Sequence, residues 1–149
     1  MKPRVTGSLY DKDFFLWATE TARLLREGKL DNVDIQNVAE GIEGLANRDR
    51  RELRSRLRLL VRLLLQWHCQ PDRRSRSRKA IMLDERIAIE RLLEDSPSLR
   101  RSVAPSLSRI YREAVAEAAA ETSLPVPSFP RECPFTADQI LDHDFLPGA

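Results

Sequence analysis

Apolar residues recur along most of the chain three or four positions apart, which is the pattern of helices that bury one side. The first stretch predicts a helix from about Asp11 to Glu27, with Gly28 as its C-terminal stop and residues 1–8 as a loose tail. No stretch alternates with a period of two, so no strand is predicted. The inward positions of the first helix are Phe14, Trp17, Ala18, Thr21, Leu24 and Leu25.

A second, much longer helix is predicted between Asp34, as its N-cap, and Pro71. About 35 residues at 1.5 Å each give a length of about 50 Å. Gly41, Gly44 and Asn47 are the positions at which this helix is weakest. Its apolar stripe consists of Ile35, Val38, Ile42, Leu45, Leu53, Leu57, Leu60, Leu64 and Trp67.

Two more helices follow, each with one apolar side. The third comes after Asp72 and is capped by Ser75 or Ser77, and the fourth covers roughly Ser106 to Thr122. Ser96-Pro97 opens a short turn between them. The inward positions are Ile81, Met82, Ala88, Ile89, Leu92 and Leu93 on the third helix, and Leu107, Ile110, Tyr111, Ala114 and Ala118 on the fourth.

The C-terminal segment, residues 124–149, is predicted to be extended and proline-rich, with one short helix near its end. Four prolines lie between Leu124 and Pro134, and Thr136 with Gln139 forms a capping box. The fold prediction is therefore all-α: a single domain over 1–149, a bundle of five or six helices with one long central helix.

Composition narrows the class of protein. With 42% hydrophobic residues and a net charge of +2, the chain can support a core, which argues against disorder. Five glycines and two cysteines exclude a collagen or a disulfide scaffold. The densest apolar stretch, Leu59 to Leu65, is interrupted by Arg62 and is too short to span a membrane. Met1 to Tyr10 contains no apolar signal core, so we expect the cytoplasm.

Basic residues are concentrated in one part of the chain. Residues 48–79 contain twelve Lys or Arg and three acids, whereas the rest contains thirteen basic and twenty acidic residues. On the long helix four arginines fall within about 80° of one another, opposite the leucines. Guanidinium groups match phosphate oxygens. The predicted anion-binding surface comprises Arg51, Arg54, Arg58, Arg62, Arg73, Arg74, Arg76, Arg78 and Lys79.

The partner of this surface is predicted to be anionic, either an acidic protein surface or a nucleic-acid backbone. The competing interpretation is a solvated helix face whose arginines pair with acids of the same chain, such as Glu40, Glu90 or Glu94. No membrane is predicted as a partner, and the sequence leaves the oligomeric state open.

Glu40 and Glu43, three residues apart on one side of the long helix, form a possible acidic pair. No Glu-x-x-His pair accompanies them, so no metal site and no cofactor are predicted. His68, Cys69, Cys133 and His143 do not have the spacing of a structural zinc site, although they could meet in space. Both cysteines are expected to be free thiols.

Several strings, in order, resemble the bacterial family called domain of unknown function 29. They are Tyr10-Asp11, Asp13-Phe14 and Trp17; Ala39 to Glu43; Gln70-Pro71 and Arg74 to Ser77; Ser96 to Leu99; Ala119 to Leu124; Phe129-Pro130 and Cys133-Pro134; and Asp144 to Pro147. The resemblance implies a small helical protein with no assigned activity. The chain departs from it at Glu40-Gly41, where two acids are common, and at Arg78, where an aromatic residue is common.

The leading functional prediction is a non-enzymatic binding protein with an arginine-rich face for an anionic partner. One alternative is a small hydrolase or nuclease-like enzyme that uses Glu40 and Glu43 near the basic face. A second alternative is a structural adaptor recognised through the proline-rich C-terminal segment.

Overall fold

The computed structural model describes residues 8–148 and is helical throughout, without a strand in that range. The all-α prediction is confirmed, including the long central helix and the irregular C-terminal region. Short 3₁₀ turns occupy Leu30–Asn32, Pro71–Arg73, Pro97–Ser102 and Val126–Ser128. The α-helices are α1 (Leu9–Lys12), α2 (Phe14–Arg26), α3 (Ile35–Cys69), α4 (Arg76–Asp95), α5 (Val103–Thr122) and α6 (Ala137–Leu141).

The chain forms two compact units that divide between Asn47 and Arg48, within α3. The organisation as a single domain stays a prediction. The tail predicted for residues 1–8 lies almost wholly outside the described residues; its last member, Ser8, is the N-cap of α1.

The first unit is a helical hairpin of α1, α2 and the beginning of α3. One helix was expected from Asp11, but Asp13 breaks it, because its backbone is non-helical and its Oδ1 accepts the amide hydrogen of Leu16 at 3.0 Å. Gly28 adopts the left-handed conformation that follows α2, as predicted (φ 71°). The two long helices meet where Trp17 lies over Gly41, 3.9 Å from the place of a Cβ atom.

The hairpin of residues 8–47 buries almost none of its apolar side chains. Thr21 is the one residue of this range that falls in the buried class. The predicted inward positions Phe14 and Leu25 are exposed, so the prediction was wrong there. Sequence spacing identifies the residues that share a helix side, but whether that side is covered depends on another surface.

Helix α3 continues without interruption past Gly41, Gly44 and Asn47. Its buried residues begin at Leu53. In the second unit this part of α3 packs with α4, α5 and α6 around one core. The largest fully buried side chains are Leu57, Leu60, Leu64, Leu65, Met82, Ile89, Ile110, Ile140, Val61 and Val103.

The predicted inward faces of α4 and α5 are largely confirmed. Ile81 is an exception, because it is exposed, and Ala88, Leu92 and Leu107 are only half-buried. Ser75 is the cap of α4, since its hydroxyl accepts the amide hydrogen of Arg78 at 3.2 Å. Helix α5 begins three residues earlier than expected, at Val103, and includes Pro105 in its first turn, where a missing amide hydrogen costs nothing.

The C-terminal segment is irregular, as predicted, but it is also part of the core. Phe129 and Phe135 are buried, and the Tyr111 hydroxyl donates to the Pro130 carbonyl. The capping box of α6 is present: Thr136 Oγ1 accepts from the Gln139 amide, and Gln139 Oε1 accepts from the Thr136 amide. The prolines Pro125, Pro127 and Pro134 remain exposed. Recognition through this segment therefore stays a prediction.

Candidate anion-binding surface

Two of the predicted anion-binding arginines pair with acids of α5. Arg58 Nη1 lies 3.3 Å from Glu113 Oε2, and Arg58 Nε lies 3.0 Å from Glu117 Oε1. One turn further on, Arg62 Nη1 lies 3.1 Å from Glu117 Oε2. The guanidinium of Arg58 also holds the pKa of Glu113 below its usual range, followed by a smaller contribution from Arg109.

A third, uncharged residue of α3 extends this row. Gln66 Nε2 donates to Glu121 Oε2 at 2.6 Å, and Gln66 Oε1 accepts from Arg78 Nη1 at 3.4 Å. We call the row the Arg–Glu ladder. It consists of Arg58, Arg62 and Gln66 on α3 and of Glu113, Glu117 and Glu121 on α5.

In the middle of the basic region, the ladder agrees with the competing interpretation of the arginine stripe, in which the arginines pair with acids of the same chain. Its acids lie on α5, whereas the sequence analysis suggested Glu40, Glu90 or Glu94. Neighbouring Arg56 is paired as well, to Glu52 at 3.0 Å and to Glu85 at 3.2 Å. The arginines of the ladder are therefore engaged within the protein.

Arg74 also has partners within the chain. Its Nε donates to the Trp67 carbonyl at 2.9 Å, and its guanidinium carbon lies 5.4 Å from the centre of the Trp67 ring. Its two Nη atoms lie 3.5 Å from the carbonyl oxygens of Pro147 and Gly148. Arg74 thus connects the end of α3 to the C-terminal segment.

The remaining predicted cations lie on either side of the ladder. Arg51 and Arg54 precede it on α3, and about 22 Å of helix separates Arg54 from Cys69 at the end of α3. Within residues 8–148, no carboxylate oxygen lies within 4.0 Å of the side-chain nitrogens of Arg51 and Arg54. The same holds for the predicted cations that follow α3, namely Arg73, Arg74, Arg76, Arg78 and Lys79. We call the three exposed members of this second set, around the start of α4, the basic cluster: Arg73, Arg76 and Lys79.

A family model, Domain of unknown function DUF29, matches residues 9–146, which is nearly the whole chain. The chain belongs to the DUF29 family. No curated protein and no solved structure matches it significantly. The DUF29 match confirms the family resemblance and assigns no activity.

The two positions at which the sequence was expected to depart from the family pattern both make contacts within the chain. Arg78 donates to Gln66 at the end of the ladder. Gly41 lies against the Trp17 ring. Glu40 and Glu43 are both exposed on the part of α3 that belongs to the hairpin.

The four His and Cys candidates do not form a metal site. His68 packs edge-on against Phe135, and His143 Nε2 lies 3.2 Å from Glu90 Oε2. Burial raises the pKa of the Cys69 and Cys133 thiols, and both cysteines are free, as expected. Among residues 8–148 no three His, Cys, Asp or Glu side chains are placed to hold a metal ion, and no helix in that range could cross a membrane.

Arg86, like Gln66 of the ladder, is a buried polar residue that sequence reasoning missed. It is 2% exposed, although it lies on the apolar side of α4 with Met82, Ile89 and Leu93. Its spacing of four and three from Met82 and Ile89 was the available signal. It also borders an open cleft of about 400 Å³, together with Glu90, Arg100, Asp138 and His143.

Proposed function

We propose that this DUF29 protein is a non-enzymatic binding protein whose basic cluster contacts the phosphate backbone of double-stranded nucleic acid. The observation that carries the proposal is the contrast between paired and unpaired cations. The ladder uses Arg58 and Arg62 internally, whereas Arg73, Arg76 and Lys79 are exposed and have no carboxylate within 4.0 Å in residues 8–148.

The surroundings of the cluster favour phosphate over an acidic protein surface. Residues 71–79 contain no large apolar side chain. A protein–protein interface usually has an apolar centre, whereas contacts to a phosphate backbone require only donors and positive charge. Arg76 and Lys79 also lie in the first turn of α4, where the helix dipole adds positive potential.

Base reading is not part of the proposal. No aromatic residue lies between Arg73 and Lys79, so the cluster offers no ring on which an unpaired base could stack. Phosphate contacts position a protein on a duplex without distinguishing sequences. We therefore expect binding that is weak, salt-dependent and independent of sequence.

The decisive experiment is a titration of labelled 20-base-pair duplex DNA and duplex RNA by fluorescence anisotropy from about 50 mM salt upward. Each phosphate contact contributes roughly −0.9 to the slope of log K against log salt for DNA. Arg73→Ala/Arg76→Ala should flatten that slope by about two and weaken binding to all sequences equally.

The matched control is Arg91→Ala/Arg112→Ala, which removes the same charge from exposed arginines on α4 and α5. It should leave the slope close to that of the wild type. Equal effects of the two double variants would reject the basic cluster as the site. Absence of duplex binding at 50 mM salt would reject nucleic acid and favour an acidic protein as the partner.

A hydrolase or nuclease-like enzyme would require Glu40 and Glu43 to lie in a cleft that shields an acid–base pair from water. Both side chains are instead exposed on a regular helix.

A further inference from the structure

The hairpin of residues 8–47 presents most of the exposed apolar side chains of the described chain. Twelve large apolar residues are exposed in residues 8–148, and only Ile81, Leu83 and Val126 lie beyond the hairpin. The nine within it are Leu9, Phe14, Phe15, Leu16, Leu25, Leu30, Ile35, Ile42 and Leu45.

Five of these residues form one surface, which we call the hairpin face: Phe14, Leu25, Ile35, Ile42 and Leu45. At 100° per residue, Phe14 and Leu25 are about 20° apart around α2, and so are Ile35 and Ile42 around α3. The short connection makes the helices antiparallel, and their contact at Trp17 and Gly41 turns both pairs to the same side of the hairpin.

We infer that the hairpin face pairs with the hairpin face of a second copy of this chain, so that two hairpins form a four-helix bundle. A contact of this kind is isologous, because each copy contributes the same surface. The positions between the large residues suit it: Ala18, Ala39 and Ala46 are small and uncharged, so a second pair of helices can approach closely.

The size of the face agrees with a stable dimer. The five side chains are 45–69% exposed, and at about 150 Å² for a complete side chain they leave roughly 440 Å² of apolar surface uncovered. Homodimer interfaces are about 65% apolar, so this corresponds to roughly 700 Å² per copy. Standard interfaces bury about 600–1,000 Å² per partner.

The small size of the hairpin also favours a partner. Units of about 40 residues usually require a disulfide, a metal or oligomerisation. The hairpin contains no cysteine, and no metal-binding group exists in residues 8–148. A second copy is the one partner present wherever the protein is present.

The test is the molar mass of the full chain by sedimentation between about 1 and 100 µM. We expect the wild type to have twice the mass of one chain at the upper end, and Ile35→Glu/Ile42→Glu to remain a monomer. The matched control, Ile81→Glu/Leu83→Glu, places the same charges on exposed apolar positions of α4 and should dimerise like the wild type. A monomeric wild type at 100 µM would overturn the inference, as would an equal loss of dimer in both variants.

A second measurement on the wild type avoids the risk that a variant fails to fold. Hydrogen exchange should slow at least tenfold in residues 14–26 and 35–46 between 1 and 100 µM, while amides of residues 57–65 remain unchanged. Protection that is independent of concentration, in a protein whose mass stays that of one chain up to 100 µM, would contradict dimerisation.

Discussion

Arg86 on α4 donates its Nε hydrogen to the main-chain carbonyl of Ile140 at 2.8 Å, across 54 residues of sequence. Its two Nη atoms lie 3.4 Å from the carbonyls of Gln139 and His143. These carbonyls lie at and just beyond the end of α6, where helix carbonyls lack their usual amide partner one turn further on. The Gln139 carbonyl also accepts the amide hydrogen of Asp142 at 3.3 Å. Burial lowers the pKa of Arg86, whereas the charges of Asp142 and Asp144 raise it.

We predict that Arg86→Met destabilises the fold by about 2–4 kcal/mol, because it keeps the apolar stem but leaves the buried Ile140 carbonyl without its donor and removes two partly buried hydrogen bonds. Urea unfolding followed by circular dichroism measures the change. Arg91→Met, an exposed site on the same helix, should stay within about 0.5 kcal/mol of the wild type. A similar cost at both sites would show that the carbonyl contacts of Arg86 contribute little.

Leu60 and Arg58 lie on opposite sides of α3 and should differ sharply. Leu60 is fully buried, so Leu60→Ala should cost about 2–5 kcal/mol of unfolding free energy. Arg58→Ala loses ion pairs that are partly exposed, and should cost at most about 1 kcal/mol. Equilibrium unfolding in urea at one pH and salt concentration compares them directly. Equal costs would contradict the orientation of α3.

The ladder should contribute modestly and in a salt-dependent way. A double-mutant cycle on Arg62→Ala and Glu117→Ala should give a coupling energy of about 0.2–1 kcal/mol, because both side chains remain partly exposed. At 1 M salt the coupling should fall, since the screening length shrinks to about 3 Å. A coupling that is the same at low and high salt would indicate packing rather than charge.

The raised pKa of Tyr111 predicts how the stability of the fold changes at alkaline pH. Burial, followed by the nearby Cys133 and Cys69, raises the pKa of Tyr111 to about 12, and the protonated hydroxyl donates to Pro130. An unfolded tyrosine ionises near pH 10, so the unfolded state releases its proton first. Stability should therefore be unaffected by this group below about pH 10 and should decline from there to about pH 12.

Absorbance at 295 nm measures this titration. The chain has two tyrosines, and in the folded protein one ionisation should occur only near pH 12. Tyr111→Phe should remove that step and cost about 1 kcal/mol at neutral pH through the lost hydrogen bond. Persistence of the step in the variant would show that Tyr111 is not its source.

Local sequence signals predicted most of the helices, because they act within a few residues. The capping box at Thr136 and Gln139, the cap at Ser75 and the stop at Gly28 each depend on near neighbours along the chain. The local signal that was overlooked is Asp13, whose side chain caps α2 although the helical spacing of apolar residues continues through this position.

Tertiary partners could not be predicted in the same way. The spacing of Arg58 and Arg62 identified a common helix side, but the choice of Glu113 and Glu117 as partners depends on which helix packs there. The exposure of Ile42 on the same long stripe that buries Leu57 likewise depends on packing beyond the helix. Arg86 combined both difficulties, because a charged residue took an apolar position and found its acceptors on α6.

Because the ladder repeats at every helical turn, its charges do not by themselves fix how α3 and α5 are aligned along their axes. Its three hydrogen-bonded pairs share one offset of 55 residues, so α3 and α5 run parallel. Arg58 already reaches Glu117, and Arg62 Nε lies 3.6 Å from Glu121. If α5 slid by one helical turn, Arg58 and Arg62 would pair with Glu117 and Glu121 instead, so that ion pairs of the same kind would replace the present ones. The alignment of the two helices must come from unlike members: Gln66, where the arginines stop, and the differently shaped apolar residues beneath them.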